Sequence, residues 1–438
     1  MKSIYKLIIA MILLPATIAY GQKKEPSEGD SLSLHEILSE VIHNYPSIKK
    51  AQTDIESSDA KIGLAKTAYL PDVDITSSYT RLGPLQSFTL PGIGTLSLYP
   101  ANNYSAMLNV KENIYDFGKT KKNVAFEEQN KELVSLSVEQ IKQRLSGMLI
   151  GNYYSMVFLQ EAIRIKEEEL ATLNEHLNFV QKKEATGSAT KYEILTTKVR
   201  ISAIENQKTD LMTALQVQLS QLNSFLGKSQ ETNLVVKEEL LAPQILATND
   251  SLFSFAYEHR NEMKIVRQKS ALVDTHLKMI NLQNNPSLNF FGSGGLKNGY
   301  LPDINVITPN FAVGVGIKIP IFDGNRSKYN KIQANSDIHG NLQETELTRR
   351  TIVNEVVESK ANALSAQKKV HQSELQLEQA LQAFSLAETN FKAGAITNLD
   401  MLDSSTSVAE SRLALLKTKI DYSVSFLKLK IALGEQIY

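Results

Sequence analysis

The chain has no cysteine. Disulfides are therefore excluded, and so is a lipid carried on an N-terminal cysteine. It has no excess of charge either: 47 basic residues balance 47 acidic ones. Nucleic acid is not expected as a partner, because a basic excess is its usual footprint. The seven histidines (His35, His43, His176, His259, His276, His339, His371) are scattered and form no His-x-x-x-His pair. Nothing supports a zinc enzyme, and no metal is expected. There is no Walker A loop and no Gly-x-Ser-x-Gly, so neither an enzyme nor a cofactor is expected. Beyond the first residues no segment offers 18 uninterrupted apolar residues. That excludes membrane-spanning helices, but not spanning strands, whose alternation hides them from hydropathy.

The first residues, MKSIYKLIIAMILLPATIAYGQ, carry Lys2 and Lys6, an apolar run from Leu7 to Leu14, and then small residues at Ala19 and Gly21. This is the plan of a signal peptide over 1–21, cleaved after Gly21. The mature chain is expected to be exported and to begin at Gln22.

What the rest contains is a duplication. NIYDFGKTKKN (113–123) matches PIFDGNRSKYN (320–330) at an offset of 207, and ATGSATKYEIL (185–195) matches KAGAITNLDML (392–402) at the same offset. Asp116 pairs with Asp323, Gly187 with Gly394, Thr190 with Thr397 and Glu193 with Asp400. At the fronts, Pro71 and Pro286 match at an offset of 215, so the first half holds eight more residues, in the Pro- and Gly-rich stretch 83–103, which reads as a loop. An offset kept through long helices marks duplication. The two repeats run over 31–227 and 249–434, joined by a segment at 228–248 and followed by a short tail at 435–438.

Each repeat reads as helix, two strands, a very long helix, a turn and a second helix. Phe311, Val313, Val315 and Ile317 alternate with Ala312, Gly314, Gly316 and Lys318, and Val73, Ile75 and Tyr79 alternate with Asp74, Thr76 and Ser78. Phe291 goes against this pattern. The expected hairpins span 72–116 and 287–322. Proline is missing from Lys119 to Glu184 and again from Arg326 to Ala393. A helix of about 65 residues is roughly 98 Å long. Leu170, Leu173, Leu177 and Val180 show coiled-coil spacing. The antiparallel partner after each turn, near 187 and near 394, would bury that stripe. Four strands cannot close a barrel and open edges are not tolerated in lipid, so several chains would share one. Three would give twelve strands and a lumen.

Asp116 and Asp323 stand between strand and helix and fit helix caps, with Gly118 and Gly324 giving the turn its freedom. Thr190–Glu193 and Thr397–Asp400 fit capping boxes. Asp403 is not explained that way. It shares a helix face with Asp400; no His or further acid lies nearby in the sequence to make a metal site of the pair, which leaves a cap or a charged constriction.

With these features in this order, the whole mature chain resembles outer-membrane efflux proteins of the TolC family. The resemblance implies a mixed, mainly α fold: a trimeric 12-stranded transmembrane β-barrel continued by a 12-helix periplasmic α-barrel. It implies an exit duct for a tripartite efflux or type I secretion system. Its partners would be a periplasmic adaptor, an inner-membrane RND or ABC transporter, outer-membrane lipid and two further copies of the chain. It places Asp400, Asp403 and Glu193 at the periplasmic constriction, with the turns around Gly187, Thr190, Gly394 and Thr397 as adaptor-docking tips. Ile396 and Phe391 depart from the family, which has an arginine tether and often a tyrosine there. Leu195 and Leu402 read as core. The alternative is a periplasmic coiled-coil scaffold or adaptor without a pore.

Overall fold

The computed structural model describes residues 31–438 apart from 93 and 245–247. The segment read as a signal peptide lies outside the described residues. The chain opens with α1 (Leu34–Asn44) and α2 (Pro46–Lys66), where one helix was expected. The break falls at Tyr45, extended at φ −66°, ψ 131°, because a residue before proline is pushed out of the helical region. Next come β1 (Asp72–Arg81), β2 (Ser87–Leu90), β3 (Gly94–Ser97) and β4 (Asn102–Tyr115), then the helical hairpin of α3 (Lys119–Ala185) and α4 (Lys191–Leu226). The second half repeats this with α5 (Asn249–His259), α6 (Asn261–Leu282), β5 (Ser287–Lys297), β6 (Thr308–Lys318), α7 (Arg326–Lys392) and α8 (Asn398–Leu433).

Both ends of α3 and α4 recur in α7 and α8 at an offset of 207, and α1 recurs in α5 at 215. The break between α5 and α6 has no proline. There Arg260 takes Tyr45's place, extended at φ −61°, ψ 131°. Its buried guanidinium donates to Glu262 Oε2 at 2.9 Å, to Glu355 Oε2 at 2.5 Å and to the Ala432 carbonyl at 3.1 Å.

One correction concerns 83–103. It is not only loop: β2 and β3 pair there as a separate antiparallel ribbon. Strands of four residues set among Pro84, Pro91, Gly92 and Pro100 are too short for alternation to outweigh turn signals. The main sheet has the order β1-β4-β5-β6, antiparallel throughout. β1 and β6 are its unpaired edges.

The largest core cluster sits midway along the long helices. Ile37, Leu38 and Val41 of α1 pack there with Leu149, Tyr153 and Met156 of α3 and Leu222 of α4. The segment after α4 straps across it. Leu32 bridges to Val236, and the Tyr153 and Tyr154 hydroxyls donate to the Lys237 and Glu239 carbonyls at 2.7 and 2.9 Å. Among the described residues no helix is long and apolar enough to cross a membrane.

Candidate functional site

The two ends of the molecule carry the candidate site residues: the sheet at one end and the hairpin tips at the other, about 100 Å apart by the length of a 67-residue helix. In the sheet the register stacks like with like. Val73, Val110, Gly292 and Val313 form one cross-strand row. The adjacent row is Asp74, Asn109, Ser293 and Ala312, on the opposite face. The apolar face is bare: Phe311, Val313, Val315 and Ile317 are all exposed. On the polar face Asn109 donates to Asp74 Oδ2 and Thr76 Oγ1, both at 3.0 Å. Phe291 obeys the alternation after all. It lies in the row Asp72, Lys111, Phe291, Gly314, on the polar face. Two adjacent phenylalanines must point to opposite faces, and here Phe290 takes the apolar one.

The strand-to-helix junctions are built alike. Asp116 Oδ2 accepts from the Thr120 amide at 2.7 Å and from its hydroxyl at 2.5 Å, while Oδ1 accepts from the Gly118 amide at 3.0 Å. Asp323 Oδ2 accepts from the amide and hydroxyl of Ser327. These bonds, the Ser327 hydroxyl first, hold the Asp323 carboxyl well below the usual carboxylate range. Each junction needs two successive left-handed residues: Phe117 and Gly118 in the first, Gly324 and Asn325 in the second. Gly118 and Gly324 are therefore not equivalent positions. Phe117 at φ 55° is a strained choice, costing on the order of 1–3 kcal/mol, and its ring rests edge-on against Tyr115 at 4.7 Å. Pro71 and Pro286 each stand directly before a strand, β1 and β5. Two residues that sequence reading missed tie the junctions together. The Asn285 carbonyl accepts from Lys119 Nζ at 2.6 Å, and Asn284 Nδ2 donates to Asp323 Oδ2 at 3.0 Å. Their only sequence signal is polarity just ahead of Pro286.

The tips share one turn and one cap. Gly187 and Gly394 turn the chain at φ +76° and +78°, a region open to glycine. The Ser188 amide donates to the Lys183 carbonyl and the Ala395 amide to the Asn390 carbonyl, each at 2.8 Å, the 6→1 bond of a Schellman turn. Both restarts are full capping boxes. The Thr190 amide and hydroxyl donate to Glu193 Oε1 at 3.2 and 3.0 Å; those of Thr397 donate to Asp400 Oδ2 at 2.9 and 2.6 Å. The Thr397 hydroxyl, then its amide, draw the Asp400 carboxyl below its ordinary pKa.

Asp403 has a different partner. Arg200, on α4, donates to its Oδ1 at 2.7 Å and so joins the two hairpins. The absence of arginine at 396 therefore does not leave the tip without an ionic tie. No local sequence signal reveals it, because Arg200 and Asp403 belong to different repeats. A second link is buried. His176 Nε2 lies 2.7 Å from Asn398 Oδ1, and Asn398 Nδ2 donates to Thr196 Oγ1, Thr197 Oγ1 and the Glu193 carbonyl at 3.3–3.4 Å. Burial pushes the His176 pKa below its ordinary value. Phe391 is buried beside Val180 and Met401, with Lys183 Nζ 4.8 Å above its ring. Packing and a cation–π contact hold the ring in place. Leu402 is core at 2% exposure, but Leu195 is 58% exposed. It shares an uncovered stripe on α4 with Tyr192 and Val199.

The family model described as "Outer membrane efflux protein" matches residues 37–228 and 279–435. The toluene efflux pump outer membrane protein TtgC of Pseudomonas putida is 23% identical over 92% of this chain and 83% of its own. The cation efflux system protein CusC of Escherichia coli is 22% identical over 91% and 85%. The outer membrane protein VceC of Vibrio cholerae has the same fold, with a TM-score of 0.73 at 17% identity over 92% of this chain and 97% of that one. TtgC and VceC are named as outer membrane proteins and CusC as a cation efflux system protein, and nothing in them supports the scaffold alternative.

Proposed function

The chain belongs to the outer membrane efflux protein family, and from that premise we propose that it is a passive exit duct, the outer-membrane member of a tripartite efflux or type I secretion assembly. The observation that carries this is the sheet. It bears one polar and one exposed apolar face, leaves both edge strands unpaired, and continues into helices of 67 residues. In lipid such edges must close. Three copies give twelve strands, enough to enclose a lumen lined by the polar face. The uncovered stripe along α4 (Tyr192, Leu195, Val199) and the scattered exposed leucines of α7 (Leu342, Leu347, Leu386) suit coverage by neighbouring copies. The helices would then form a periplasmic barrel fed by an adaptor and an inner-membrane RND or ABC pump, around cargo on which the duct does no chemistry.

Three sets of Asp400, Asp403 and Glu193 would ring its narrow end, and the turns at Gly187 and Gly394 would meet the adaptor. A leader at 1–21 would carry the chain out of the cytoplasm, and the closed barrel would hold it in the outer membrane. Fractionation tests the proposal directly. The protein is expected as a heat-modifiable trimer in outer membranes that forms conducting steps in planar bilayers. A soluble periplasmic monomer without conductance would overturn it.

A further inference from the structure

We propose that the polar face of the sheet carries a ligand site for planar aromatic molecules bearing both an ammonium and a carboxylate group; this rests on the reading that the polar face lines a lumen. At the foot of the sheet lies an open cleft of about 920 Å³, walled by Asp72, Lys111, Asn113, Asn289 and Phe291. Its volume is within the usual range for small-molecule sites, about 300–1,000 Å³. Phe291 is its apolar surface. A Cβ on Gly314 would meet the Phe291 ring at 2.5, 2.8 and 3.2 Å, and one on Gly316 would meet it at 3.8 Å. The far rim of the ring therefore lies over β6, on ground kept clear by glycine. The ring remains 48% exposed and lines the cleft. An aromatic ring held on one side and open on the other is a stacking platform.

The polar groups around it are unspent. Asp72 and Lys111 stand opposite one another in register, and neither side chain is in an ion pair or hydrogen bond among the described residues. A ring stacked on Phe291, a carboxylate at Lys111 and an ammonium at Asp72 would engage all three groups. A merely structural Phe291, filling space above two glycines, predicts no charge preference in the guest.

Current block in planar bilayers tests this with three probes sharing one ring: L-tryptophan (zwitterion), L-tryptophan amide (cation) and indole-3-acetate (anion). L-tryptophan is expected to block at the lowest concentration. Phe291→Ala should raise its half-blocking concentration about threefold to tenfold, the scale of an aromatic pair, and Phe291→Leu should do so if the alanine variant fails to assemble. Lys111→Gln should shift preference to the amide and Asp72→Asn to indole-3-acetate. Normal conductance with equal block by all three probes, or block unchanged in both Phe291 variants, would overturn the site while leaving the duct intact. No conductance in wild type would overturn the duct, and the site with it.

Discussion

The ion pair between Arg200 and Asp403 is the simplest tie across the tip to cut. Arg200→Gln removes the donor without changing the helix. The side chains are 31% and 60% exposed, so one such pair contributes about 0.2–1 kcal/mol. If three copies open together, the closed state loses roughly 0.6–3 kcal/mol, which raises the open-to-closed ratio roughly threefold to 150-fold. Salt supplies an internal control. The Debye length falls from about 10 Å at 0.1 M to about 3 Å at 1 M, so wild-type opening should rise with ionic strength and the variant's should not. Cation selectivity should move as well. In the pair Arg200 cancels Asp403, so cutting it frees three carboxylates at the opening and cation preference should increase, whereas Asp400→Asn with Asp403→Asn should lower it. Single-channel recording reads all three effects. Equal open probability in wild type, Arg200→Gln and a charge swap (Arg200→Asp with Asp403→Arg), at both salt concentrations, would refute the tie.

Thr397→Ala removes a capping box and should destabilise the tip by about 0.5–2 kcal/mol, seen as faster amide exchange over residues 397–403 with conductance unchanged. The depressed pKa of His176 means that the unfolded chain binds its proton more readily than the folded one. Stability from its neutral form is therefore complete above about pH 6.5 and lost as pH falls through the lowered folded value. Limited proteolysis at the tips should increase on acidification, and His176→Gln should flatten that dependence. In the sheet, Val315→Arg puts charge on the apolar face and should cost about 2–4 kcal/mol in lipid, depleting outer-membrane trimer. Gly316→Ser should be mild. Gly295→Ala should prevent pairing of β4 with β5, because its Cβ would fall onto the Ala106 carbonyl. Mass spectrometry of the purified protein is expected to find Gln22 as the N-terminus.

Sequence by itself determined whatever repeats or alternates. The 207-residue offset, the proline-free spans, the two-residue period of the strands and the Thr-x-x-acid boxes depend on residues near one another in the chain. Local backbone sterics and hydrogen bonds decide such features before any distant contact forms. That is why the ends of α3 and α7, and the caps at Thr190 and Thr397, were legible. Tertiary structure alone decided which residues meet across the duplication. Arg200 finds Asp403, His176 finds Asn398, and Lys119 reaches the Asn285 carbonyl, at separations of 203, 222 and 166 residues. No period marks these partners, because each pair depends on how two long helices, or a helix and a junction turn, lie side by side. The same holds for Phe291. Its pattern announced an exception, but only the pairing of β5 with β6 set its ring over Gly314. Packing also explains Leu195, whose spacing reads as core yet whose face no helix of its own chain covers.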